Sequence, residues 1–268
     1  MANINERVLF LKACNDGNLE LAKSLYQLNF DIPYSLFRNM CWFGHLEVAK
    51  WLFELKPTIY ISSELFQRVC GFGHLKVAQW LFELNPSIYI FTDENVFIRK
   101  CRKVVRWLTL SNPDEADGFE EAFRGGHLEV MQWLYQIDPN IDISANDEYM
   151  FRRACLNGRL KVAQWLLQVK PDINLSAKND NAFKCAVRCG HLETVQWLVQ
   201  VNPNIDISAN NDDAFRWACK IGHLNMAKWL LQVKPDIDIS ANNDSAFQWA
   251  CKNEHLEMTQ WLWAQIDK

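Results

Sequence analysis

Residues 212–240 read DDAFRWACKIGHLNMAKWLLQVKPDIDIS. Phe215, Ala218 and Cys219 stand at i, i+3 and i+4, the spacing of one helix face. Gly222 ends that short helix, because glycine accepts the left-handed backbone common just past helix C-termini. Leu224, Ala227, Trp229, Leu230 and Leu231 form the apolar stripe of a second helix, and Pro235 stops it. Asp236 to Asn243 reads as an extended polar loop. The unit is helix, turn, helix, loop. A polar residue two places before the Phe (Asp213 here; Ser35, Glu64, Asn95, Asp117, Asn181 and Ser245 elsewhere) is placed to accept an orphan N–H at the helix start.

The same phrase recurs along the chain. Trp stands at 51, 80, 107, 133, 165, 197, 229 and 261, the last five at a period of 32 residues, and each is followed by Leu. A Phe opens each unit, at Phe10, Phe37, Phe66, Phe97, Phe119, Phe151, Phe183, Phe215 and Phe247. In eight of the nine it lies 14 residues before the Trp position, which Ser24 fills in the first unit. Such phase-locking marks an internal repeat. One helical hairpin cannot bury its apolar stripes alone, whereas stacked hairpins can. The reading is an all-α solenoid of about nine stacked helix–turn–helix repeats, spanning residues 1–268 as a single domain. The Phe, Ala/Cys, Trp and Leu positions are expected to form ladders through one core, with each Trp inside it.

The fourth repeat is degenerate. Only 10 residues separate Phe97 from Trp107, and aligning Cys101 with Cys70 removes the equivalent of Gly71 to His74. It reads either as a decayed rung that distorts the stack or as a bend that shapes a binding surface. The ends are modified too, with Glu254 in place of the turn Gly in the last unit. End repeats are expected to be atypical because one face meets water.

The chain has 268 residues, a formal net charge of −4, 49% apolar residues and 22% charged ones. That composition supports a buried core and excludes a disordered polymer. The charge gives no global pull toward nucleic acid or anionic membrane. Nine cysteines without a CxxC pair do not form a disulfide framework and fit a reducing compartment. The N-terminal apolar stretch is cut by Lys12 and lacks signal-peptide form, and no run approaches the ~18 apolar residues of a membrane span. The reading is a soluble, cytoplasmic chain with no membrane association.

GHLEVAKWL (44–52), GHLKVAQWL (73–81), GHLEVMQWL (126–134), GHLETVQWL (190–198) and GHLNMAKWL (222–230) resemble the second helix of ankyrin repeats. AFRWAC (214–219) resembles their first helix, with Phe215 where Leu is usual. The resemblance covers nearly all of the chain. The abundance of Trp and the phrase KPDIDISANND (234–244) look most like multi-repeat ankyrin proteins of giant viruses that infect amoebae. The family's Thr-Pro before the first helix is absent, and its Gly after the second helix is replaced by Lys-, Asn- or Asp-Pro. These departures alter the loop but not the stacking of helix pairs. The resemblance implies a scaffold or adaptor that binds one or more protein partners, a host protein where the source is viral. It also implies that partners dock on a concave face lined by first helices and loop tips.

Carried over to this sequence, the family's variable positions before the turn Gly include an apolar patch of Trp42, Phe43 and Phe72. They also include a basic row of Arg124, Arg188, Lys220 and Lys252, which Arg152, Lys184 and Arg216 extend. These are the expected partner-binding residues, because aromatics and Arg dominate interface hot spots. The plainer alternative is that the charges are only a solvated face. Asp147, Glu148, Asp180, Asp212, Asp213 and Asp244 make the loop tips acidic, which disfavours nucleic acid as a partner.

The six His residues share one phase of the repeat, which reads as structural hydrogen bonding at the inter-helix turn rather than as a metal site. Arg159 fills that place in the sixth repeat, and guanidinium does not ligate metals. Cys14, Cys41, Cys70, Cys155, Cys219 and Cys251 share another phase and read as small buried hydrophobes. Cys185 and Cys189, at i and i+4, do not by themselves make a zinc site. No P-loop, GxSxG, HExxH or paired-carboxylate signature occurs, so no catalysis, cofactor, metal or small-molecule substrate is expected. A monomeric adaptor is the leading reading, and architectural self-assembly its alternative.

Overall fold

The described helices fall in pairs along the chain, as the repeat predicts. The computed structural model describes residues 4–26, 31–86 and 118–266. These hold sixteen helices and no strand, in two compact units, residues 1–141 and 142–268. In the first unit the helix pairs are α1 (Ile4–Asn15) with α2 (Leu19–Leu25), α3 (Tyr34–Trp42) with α4 (Leu46–Leu55), α5 (Ser63–Gly71) with α6 (Leu75–Leu84), and α7 (Gly118–Gly125) with α8 (Leu128–Ile137). In the second unit they are α9 (Ala145–Leu156) with α10 (Leu160–Val169), α11 (Ala177–Arg188) with α12 (Leu192–Val201), α13 (Ala209–Ile221) with α14 (Leu224–Val233), and α15 (Ala241–Lys252) with α16 (Leu256–Ile266).

First helices stack on first helices: α1 on α3, α3 on α5 and α5 on α7 in one unit, and α9 on α11, α11 on α13 and α13 on α15 in the other. The repeat that opens at Phe97, with Asn95, Cys101, Trp107 and Asp117, lies outside the described residues. Among the described helices, the neighbour of α5 is α7. Phe66 meets Trp133 at 6.3 Å between ring centroids, and His127 bonds the Gly71 carbonyl. These are the contacts that consecutive repeats make elsewhere.

The deep core belongs to Phe and Leu. Phe37, Phe66, Phe119, Phe151 and Phe215 are at most 1% exposed, and Leu52, Leu81, Leu134, Leu166, Leu198, Leu230 and Leu262 are fully buried. Each such side chain stabilises the fold by roughly 1.5–3 kcal/mol through burial. The expectation that every Trp sits inside this core is corrected. Trp165 is buried, while Trp51, Trp80, Trp133, Trp197, Trp229 and Trp261 are half-buried. Trp precedes the core Leu by one residue, hence by about 100° around the helix, so it lies on the flank. There it seals the seam between repeats. Phe37 meets Trp80 at 6.2 Å, Phe151 meets Trp197 at 6.1 Å and Phe215 meets Trp261 at 6.3 Å, each Phe touching the Trp of the next described rung.

The inter-helix histidines form a second ladder. Nε2–H donates to a carbonyl of the preceding described rung in five cases: His45 to Asn15, His74 to Trp42, His127 to Gly71, His223 to Arg188 and His255 to Lys220, at 2.8–3.1 Å. Each acceptor lies two residues before a turn Gly, a helix-terminal carbonyl that lacks an intrahelical partner.

The loops of the second unit differ from the extended form expected of them. Ile143, Ile173, Ile205 and Ile237 turn inward and are buried. The Asn/Asp-rich tips then make a full left-handed turn, with φ of 55° to 61° at residues 146–148, 178–180, 210–212 and 242–244. Left-handed backbone costs about 1–2 kcal/mol per ordinary residue, and Asn and Asp bear it best because their short polar side chains bond locally. Each turn closes by an i to i−4 bond, for example Asp212 N–H to Ser208 O at 3.0 Å. The capping expectation is corrected as well. Among the described residues, Ser35, Glu64, Asn181, Asp213 and Ser245, two before the Phe, lie within the helices. The side chain that caps α5 is Ser62, whose Oγ accepts from Leu65 N–H at 3.1 Å.

Candidate partner-binding surfaces

The aromatic patch of the first unit forms where α3 and α5 end side by side. Trp42 and Phe72 meet edge to face at 6.4 Å. The Arg38 guanidinium covers the Trp42 ring at 4.4 Å, leaving that indole half-buried. Phe43 and Phe72 are 54% and 51% exposed. They stand against the rings of His45 and His74 at 6.1 and 6.3 Å. The ladder that joins the repeats therefore also props up the two exposed rings.

The basic residues do not form one uniform row. Arg124 lies in the first unit, and its guanidinium is paired within its own helix, to Glu120 at 3.2 Å and Glu121 at 3.1 Å. Arg152 turns back onto its left-handed loop, donating to Asp147 O at 2.8 Å and Asn146 O at 3.1 Å. Lys184 and Arg216 do the same, to Asn179 O at 2.7 Å and Asn210 O at 2.9 Å. One residue after the opening Phe, a long donor reaches the carbonyls that the left-handed turn frees. These three side chains hold the loops in place.

Arg188 and Lys220 are brought together by Trp217. Arg188 Cζ and Lys220 Nζ each lie 4.3 Å from its ring centroid, and Lys220 Nζ also lies 3.2 Å from that of Trp249. A cation over an indole face gains about 0.5–2 kcal/mol without being neutralised. Among the described residues, no carboxylate pairs with Arg188, Lys220 or Lys252. Lys252 continues the line, exposed near the end of α15. Trp217 and Trp249 escape a reading based on the positions next to the turn Gly. Their signal is the phrase FxWACK (215–220 and 247–252), in which Trp and Lys at i and i+3 share a helix face.

The loop tips are less uniformly acidic in space than in sequence. Asp147 is exposed and pairs with Lys178 at 2.7 Å, a bond that holds its carboxyl below the usual carboxylate range. Asp212 is buried and accepts from Asp238 N–H at 3.2 Å, tying one loop to the next. Asp213 sits in the helix and pairs with Arg216 at 3.2 Å. Of the Cys positions in phase, Cys14, Cys41, Cys70, Cys155 and Cys219 are buried, while Cys251 of the last repeat is exposed, as is Cys189. Among the described residues, no three of His, Cys, Asp and Glu gather closely enough to hold a metal ion. Nor is any described helix long and apolar enough to cross a membrane.

Stacked helical hairpins joined by a Gly–His turn, with side chains displayed on the first helices, define a helical-repeat binding scaffold. One family model, described as ankyrin repeats (3 copies), matches residues 119–211, and another, ankyrin repeats (many copies), matches residues 216–262. The chain belongs to the ankyrin-repeat family. No curated protein matches it.

Proposed function

We propose that the chain is a non-enzymatic protein-interaction scaffold whose partners dock on the exposed faces of its first helices. Ankyrin repeats generally mediate protein–protein contacts. The observation that carries the reading is the state of those faces. Phe43 and Phe72 expose half of their surface beside Trp42. Arg188 and Lys220 stand on Trp rings with no carboxylate partner among the described residues. Aromatic anchors supply most interface affinity, and charges set on-rate and specificity.

The test is affinity capture from cell lysate with the wild-type chain beside two variants, Trp42→Ala with Phe72→Ala, and Arg188→Glu with Lys220→Glu and Lys252→Glu. Proteins retained by the wild type and lost by a variant that melts normally assign the face and name the partner class. A host protein is the expectation where the source is a giant virus. Identical profiles for all three chains overturn the reading. We further read the chain as a cytoplasmic monomer in which residues 1–268 form one solenoid. Light scattering tests the first statement, and limited proteolysis that releases no stable half tests the second.

A further inference from the structure

We propose that the Trp-mounted cation row of α11, α13 and α15 receives an extended, polyproline-II-like acidic segment of a protein partner, with a carboxylate at every third residue. This rests on the reading of the first-helix face as a docking surface and goes further by specifying the ligand.

Three observations carry it. The first is charge without a partner. Past the left-handed turns, the first helices of the second unit carry Arg152, Arg153, Lys184, Arg188, Arg216, Lys220 and Lys252 against one acid, Asp213. That acid is already paired with Arg216. Arg188 and Lys220 are held by Trp217 and Trp249 instead of by carboxylates. The rings restrict where the cations sit, so an incoming carboxylate meets donors that have lost part of their rotamer freedom beforehand.

The second is the state of the rings. Trp217 is engaged by two cations and Trp249 by one. Sequence-tolerant binding of single-stranded nucleic acid depends on aromatic faces open to bases. Trp217, engaged by two of the chain's own cations, suits an anion drawn to the cations better than a base drawn to the ring; Trp249 keeps 42% of its surface exposed, and the oligonucleotide probe below tests that ring.

The third is spacing. Shallow cavities of about 130 and 120 Å³ open on either side of Trp217. Asn181, Cys185 and Arg188 border one; Lys220, Ser245 and Trp249 border the other; Asp213, paired with Arg216, borders both. Each offers a cation and a hydrogen-bonding side chain, and each is the size of a side chain rather than of a helix. Packed helices lie about 8–10 Å apart, so the row repeats at about that distance. A polyproline-II segment has three residues per turn and a rise of about 3.1 Å, returning to the same face every ~9.3 Å. A β-strand returns every ~6.7 Å. An α-helix reaches about 10.5 Å after seven residues, and with a diameter of roughly 10–12 Å it is too broad for these cavities.

The experiment measures fluorescence anisotropy of labelled peptides with the full chain. The probes are a peptide of repeated Pro-Pro-Glu triplets, a scrambled peptide of the same composition, an Ala-rich helical peptide with Glu at every seventh position, and oligothymidylate. We expect the triplet peptide to bind about tenfold or more tightly than the others, with affinity falling as salt rises. Arg188→Gln with Lys220→Gln is expected to weaken it about tenfold, and Lys228→Gln, on the exposed face of α14, to leave it unchanged; thermal melts confirm that the variants fold. Equal binding of the scrambled peptide, tighter binding of the heptad peptide or the oligonucleotide, or an unaffected double variant each overturns the proposal. If no peptide binds while the charge-reversed chain still loses its captured proteins, the docking face stands and the acidic-segment proposal falls. If capture is also unchanged, both fall.

Discussion

The imidazole of His74 stands where a β-carbon on Gly44 would have to be. Its Nδ1 is 2.6 Å from that position, and its Nε2 is 2.8 Å from the Trp42 carbonyl oxygen. A carbonyl only accepts, so Nε2 carries a proton and the ring is held in one orientation. The turn of one repeat and the ring of the next form a single joint. Gly44 is required twice over, by its φ of +77° and by the ring against it.

Gly44→Ala is therefore expected to destabilise by about 2–3 kcal/mol, combining left-handed strain with displacement of a bonded ring. His74→Ala alone should cost about 1–2 kcal/mol, from the lost bond and the carbonyl left without it. The two effects should not add, because each breaks the same joint. Urea denaturation of the single and double variants measures this, and additive losses would contradict a shared joint.

Trp165→Ala and Trp197→Ala should both lower the melting temperature, the first by more. Trp165 is 8% exposed and its loss leaves a cavity, at about 3–5 kcal/mol. Trp197 is half-buried and gives up part of that burial and its contact with Phe151. An unchanged melt for either would remove Trp from the structural account.

Glu254 occupies the last turn with φ of +59°. Glu254→Gly is expected to stabilise the chain by about 1 kcal/mol by relieving left-handed strain, read as a higher urea midpoint. A lower midpoint would mean that the Glu side chain contributes more than its backbone costs.

The thiols make a chemical prediction. A thiol reagent at neutral pH should modify Cys189 and Cys251 in the folded chain and spare Cys14, Cys41, Cys155 and Cys219 until unfolding. Burial pushes the Cys14 thiol up to about 11 and those of Cys41 and Cys155 up to about 12, and raises Cys219 as well. Unfolded thiols ionise near 9.0, so above that pH the folded chain holds more protons than the unfolded one. Stability contributed by these groups is complete below pH 9.0 and is lost as pH rises toward about 12. Melting curves across that window should shift downward, and less so in a Cys41→Ala, Cys155→Ala variant measured against its own neutral-pH value.

Much of the fold was legible because its signals are local and repeated. Phe, Leu and the turn Gly recur in fixed phase, and helix periodicity alone puts them on one face. A single in-phase series of His likewise pointed to a structural role at each turn. What periodicity cannot express is which flank a neighbouring side chain lies on once rungs stack. Trp next to Leu looked equally interior, yet one residue of helical rotation moves it to the seam. Asn and Asp in KPDIDISANND announced a polar loop but not a left-handed turn, one of whose carbonyls, that of Asn243, accepts from the Gln248 side chain five residues on at 2.9 Å.

The partner surface divides in the same way. Composition along the first helices determined that aromatic residues gather near Trp42 and cations near Lys220. Only the tertiary structure decided which cations remain without an acidic partner. Arg124 finds Glu120 and Glu121, and Arg152 finds the carbonyls of its own loop, whereas Arg188 is carried across to Trp217 on the next rung. Ring and guanidinium are 29 residues apart in sequence and 4.3 Å apart in space. That juxtaposition is set by the stacking of one first helix on the next, which requires both repeats to fold.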